Sequence, residues 1–128
     1  MASLLGERRT RSYASSSNAT SHWVWGDEAK YRRRTDVPHT VVGYAIHHAC
    51  SVFWATGYEG LMATRAPPHP VLGAGAVALV AYVVDYHCIP KRLTPGFEGH
   101  LRGRDMLATY GAFAAGLAAS SLLRRPDR

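Results

Sequence analysis

Five ionisable side chains, His47, His48, Glu59, Asp85 and His87, interrupt the otherwise apolar stretches of this 128-residue chain. Imidazoles and carboxylates bind metals, relay protons and anchor hydrogen-bond networks, and in a hydrocarbon setting each is costly without a partner. Three chemistries compete. A metal or haem site would draw on His47, His48 and Asp85, but the ligand spacings Glu-x-x-His and His-Glu-x-x-His are absent. A proton or ion path would use Glu, His and Asp in series. A structural network needs only interhelical hydrogen bonds at matching depth, and this least demanding reading is adopted.

The elements that must position these groups are three apolar runs, at residues 41–62, 71–89 and 106–123. At 1.5 Å per residue the first is about 33 Å long, enough to cross a bilayer. The mean hydropathy of −0.14 hides them, because it averages apolar runs with a polar head. The expected fold is therefore all-α, an integral membrane three-helix bundle. Residues 1–21, rich in Arg and Ser, are expected to form a mobile basic amino-terminal tail. Residues 22–40 carry Trp23, Trp25 and Tyr31 beside Arg32, Arg33 and Arg34, a pattern suited to a membrane interface, with Asp27 as a helix cap. Residues 124–128 form a short basic tail.

Length excludes a large multidomain enzyme. A net charge of +6 raises nucleic-acid binding as a class. No nucleic-acid motif accompanies it, and the basic residues flank the apolar runs, so no nucleic acid is expected. Cys50 and Cys88 fall in or beside predicted spans, which argues against a disulfide framework. Lys and Arg number seven in residues 1–40 and four in residues 90–104, against Arg65, Arg124, Arg125 and Arg128 on the other side. The positive-inside rule then puts the amino terminus in the cytoplasm and the carboxy terminus outside. An organellar transit segment is the alternative for the Arg- and Ser-rich head, where Glu7 is the only acid.

On a helix, Tyr44, His48, Ala55 and Glu59 form one stripe and His47, Ser51, Trp54 and Tyr58 the next, together a polar-aromatic face expected to point inward or to a partner. Depth counting brings Asp85 level with His48 or His47, and Tyr110 to the same height. The expected intramembrane cluster is thus His47, His48, Asp85 and Tyr110, with Glu59 near the opposite rim pairing with His69. Small residues four apart, Ala45 and Ala49, Ala74 and Ala78, and Ala108, Ala112 and Gly116, provide faces for close helix packing or self-association. In the second loop Thr94-Pro95-Gly96-Phe97 suits a type II turn, with Glu98 free to pair with Arg92.

The landmarks His-His-x-x-Ser-x-Phe-Trp-x-x-x-Tyr-Glu at residues 47–59, Asp85-Tyr86, and Pro-Lys-Arg-Leu-Thr-Pro-Gly-Phe-Glu at residues 90–98 resemble those of small bacterial inner-membrane proteins, and the likeness implies that location without an activity. A fainter resemblance is to the three-helix membrane-anchor subunits of succinate dehydrogenase, which carry a haem-ligand His ahead of an Asp-Tyr pair. Here the preceding His of that hairpin is His69, in the turn. The expected function is a non-enzymatic structural or accessory subunit of a larger membrane assembly, partnered by lipid and protein, with no cofactor. The alternative is a redox, haem or quinone, or proton-transport component built on the His/Asp/Glu face.

Overall fold

The computed structural model describes residues 1–99 and 101–124, and among them the regular structure is entirely helical. Six α-helices follow in order: α1 Ala2–Thr10, α2 Ser15–Thr20, α3 His22–Trp25, α4 Val42–Met62, α5 Pro70–Val83 and α6 Gly103–Leu123. The polar residues at 125–128, which include the expected basic tail's Arg125 and Arg128, lie outside the described residues, as does His100.

Pro70 opens α5 where its missing N–H costs nothing, and the His69 ring accepts the Val71 amide as a cap. Asp105 caps α6 by accepting the Arg102 amide at 3.1 Å. The three long helices pack side by side. Tyr58 of α4, Ala74 of α5 and Leu117 and Ala118 of α6 meet in one buried cluster, and the fully buried Tyr58 hydroxyl bonds Ser121 at 2.9 Å. Since Tyr58 and Leu117 are near the ends of their helices and Ala74 near a beginning, α5 runs antiparallel to both. Two runs, Pro70–Cys88 and Gly103–Leu123, are long and apolar enough to cross a membrane by length and composition. The expected first span is not among them, because His47, His48, Glu59 and several Tyr, Gly and Ser residues dilute α4.

The largest departure from expectation is the head of the chain. Residues 1–21 form no mobile tail: α1 and α2 fold onto the end of the long helices where α4 begins, and Ser15, Ser16, Asn18, Ala19, Thr20, Ser21 and His22 are all buried. Hydrogen bonds to backbone replace the apolar bulk that such a short polar segment lacks. Asn18 donates to the carbonyls of Arg32 (3.0 Å) and Arg34 (2.9 Å) and accepts from the Thr40 hydroxyl (2.7 Å). Thr20 donates to Pro95 O, and the His22 ring lies between the carbonyls of Ala19 and Lys91. The result is a polar cap of α1–α3, the segment at 26–41 and the loop at 89–101.

Two glycines make the close approach possible. A side chain at Gly43 would overlap the Ser17 carbonyl, and one at Gly96 would lie 2.6 Å from the Ala19 carbonyl. Gly96 also has the positive φ, 81°, that the type II turn requires. Asp27 caps no helix but pairs with Lys30, which also takes Glu98, so Glu98 turns to Lys30 and Thr94 and not to Arg92.

Asp36 joins the cap to α4. It accepts the His39 amide at 2.9 Å, the His39 ring at 2.8 Å and Arg32 Nε at 2.6 Å. The amide bond foremost, then the ring and the guanidinium, hold its carboxyl at about 2, below the ordinary 3.8. A depressed carboxyl stabilises the fold above its unfolded value and stops doing so as pH falls through the folded one.

Two outcomes follow. Gly43→Ala should expose the cap, raising tryptic cleavage at Arg11 about tenfold if overpacking costs its usual 1–3 kcal/mol. Gly57→Ala, in open space, should leave cleavage unchanged. Asp36→Asn should flatten the acid-induced loss of thermal stability between about pH 4 and about pH 2 relative to the parent protein.

Candidate functional site

Where the cap meets the helices it roofs a cavity of about 310 Å³. Helix α4 contributes His47, Cys50, Ser51 and Trp54, one turn apart on a single stripe. Tyr44, His48 and Glu59, of the same face expected to point inward or to a partner, are exposed. One stripe suffices because a helix between two others buries only the arc facing them.

Asp85 reaches the cavity on the buried face of α5, one turn beyond Ala81 and three beyond Ala74. Helix α5 ends in a wider π-type turn over Val84–Cys88, in which the Ile89 amide bonds the Val84 carbonyl at 3.1 Å. Asp85 then faces α6, where the Tyr110 hydroxyl donates to its carboxylate at 2.7 Å. The Trp54 indole lines the cavity beside them. Tyr82, Tyr86 and Tyr110 pack edge to face behind Asp85, with centroids 5.4 Å apart between Tyr82 and Tyr110 and 6.3 Å between Tyr86 and Tyr110. The Tyr86 hydroxyl is buried without a hydrogen-bond partner among the described residues.

The structure therefore joins Asp85 and Tyr110, sets His47 on the same cavity wall and turns His48 away from them, with Glu59 near the far end of α4. His47 stacks edge-on against Phe97 at 5.5 Å and lines the cavity beside Asp85, without bonding it. His48 stacks on Tyr44 at the exposed surface, on the stripe turned away from Asp85. Glu59 forms an ion pair with Arg124 and not with His69, whose ring is engaged in capping α5. Among the described residues no three His, Cys, Asp or Glu side chains converge as a metal would need, and His48 stands apart from the His47 and Asp85 of the expected trio. Both cysteines are free.

The residues that sequence reasoning missed are those of the roof. Trp23 donates its indole N–H to the Thr94 carbonyl at 2.8 Å, and Phe97 is buried against His47. Their aromatic character was visible, but their position depends on contacts far apart in the chain, Trp23 with Thr94 and Phe97 with His47. No protein-family model matches the chain, and neither curated proteins nor solved structures include a significant match.

A double-mutant cycle of Tyr110→Phe and Asp85→Asn, read by unfolding in detergent, should show coupling of about 1 kcal/mol, typical of an interhelical bond at such depth. Changes additive to within about 0.3 kcal/mol would contradict this contact.

Proposed function

We propose that the chain is a bacterial inner-membrane protein whose α4, α5 and α6 cross the bilayer as a three-helix bundle, amino terminus inside and carboxy terminus outside. Beneath its cytoplasmic cap it binds a small molecule. The membrane reading is supported by which residues face outward: only 22% of the window in Pro70–Cys88 and 17% of that in Gly103–Leu123 is buried. Leu72, Leu79, Leu107 and Phe53 are all exposed, the reverse of core helices in a water-soluble fold. The charge distribution supports the orientation, since the cap gathers residues 1–40 and the loop at 89–101 on one side.

The observation that carries the binding reading is the cavity itself. Its volume falls within the usual range for ligand pockets, and its largely apolar wall, with five aromatic rings besides His47, carries a few polar groups at Asp85, Tyr110 and His47. Filling it tests the reading. Small-molecule extracts of the purified protein should contain a species several-fold enriched over extracts of Ala112→Phe; identical extracts would contradict it.

A second reading, an accessory subunit, is favoured by the outward stripe of Tyr44, His48 and Glu59 with the exposed Ala45 and Ala49. Lipid alone is a poor solvent for such a face, and small residues permit close helix contact. Alkaline-phosphatase fusions test the topology common to both readings. Fusions after residue 66 and after residue 128 should be active outside the cell and one after residue 98 inactive; an inactive carboxy-terminal fusion would refute three crossings.

A further inference from the structure

We propose that the cavity beneath the cap is a cation site, whose ligand is a small organic ammonium ion with an apolar body. The inference rests on the binding reading above and follows from where the hydrogen atoms of the wall point.

Most of the side-chain donors lining the cavity are already committed. Tyr110 donates to Asp85 at 2.7 Å. Ser51 donates to the His47 carbonyl at 2.9 Å, and Thr109 to the Asp105 carbonyl at 2.9 Å. Trp23 is spent on Thr94 and Thr20 on Pro95. Apart from the Cys50 thiol, the Trp54 indole N–H and one imidazole N–H, the side chains of the wall offer acceptor lone pairs and aromatic rings. An anion would find few donors there and no cationic side chain.

A cation would find three things. Asp85 brings a carboxyl group with no ion pair among the described residues, held in place by the Tyr110 hydroxyl at 2.7 Å. The rings of Trp54, Trp23, Phe97, Phe113 and Tyr110 line the same space, and aromatic rings attract ammonium groups through their faces. The apolar remainder, with Ala81, Ile89, Leu93 and Ala112, suits a hydrocarbon body and disfavours a bare, strongly hydrated metal ion. Within a bilayer such a pairing also offsets the cost of an uncompensated carboxylate.

The probe is benzyltrimethylammonium, with neopentylbenzene as its uncharged isostere and benzenesulfonate as the anionic control, titrated against the full-length protein in mild detergent. Tryptophan emission reports binding because Trp23 and Trp54 line the cavity. Saturable quenching by the ammonium is expected, at least about tenfold tighter than by the isostere, and none by the sulfonate. Asp85→Asn, which keeps the shape of the side chain, should weaken ammonium binding about tenfold or more and leave isostere binding unchanged. Asp85→Glu should restore most of the loss, which separates charge from folding. Equal binding of ammonium and isostere, or full affinity in Asp85→Asn, would overturn the cation assignment while leaving a binding cavity in place. Absence of saturable quenching by all three probes would overturn the cation assignment; identical extracts of the parent protein and Ala112→Phe would separately overturn the cavity reading.

Discussion

The Asn18 amide holds the head of the molecule together. Its three hydrogen bonds, to Arg32, Arg34 and Thr40, tie a six-residue polar helix to the strand of chain that leads into α4. A buried amide left unpaired costs roughly 1–3 kcal/mol, so the same group that fastens the cap when satisfied would expel it when not. Gly43 and Gly96 let α2 approach closely enough for these bonds to form, and Asp36 fixes the angle at which the chain leaves the cap. The cap is thus stabilised by directional bonds more than by apolar burial, as a segment rich in Ser, Thr and Asn requires.

From that constraint the cavity follows. Thr20 and His22, carried by the cap, hold the loop at 91–95, and this loop brings Phe97 over His47. Below, the buried stripe of α5 through Ala74, Ala78 and Ala81 continues to Asp85, which accepts the Tyr110 hydroxyl. The cavity is therefore made of three parts, a polar roof, an aromatic belt and an acidic floor, each set by a different kind of interaction.

The helical class, two of the apolar runs and the Gly96 turn were legible because they depend on local composition and backbone preference. So was the Asp85 and Tyr110 level, which depth counting along regular helices reaches to within a turn. The inward face of α4 was legible only to within one stripe: periodicity places His47 and His48 a hundred degrees apart, and only the neighbouring helices decide which one turns in. The cap was hidden for a deeper reason. Hydrophobic patterning detects apolar burial, whereas Asn18, Ser21 and His22 are buried through hydrogen bonds to carbonyls distant in sequence. The Glu59 and Arg124 pair was missed likewise, because it joins the two ends of a sixty-five-residue separation.

The central claim is that residues 12–22 are a folded roof over the cavity and not a solvated tail. Amide hydrogen exchange of the detergent-embedded protein, resolved by peptide mass spectrometry, measures this directly. The account predicts that the amides of Asn18, Ser21 and Trp25, bonded to the carbonyls of Ala14, Asn18 and Ser21, exchange far more slowly than an unstructured chain. Exchange of residues 12–22 at the rate of an unstructured peptide would contradict it.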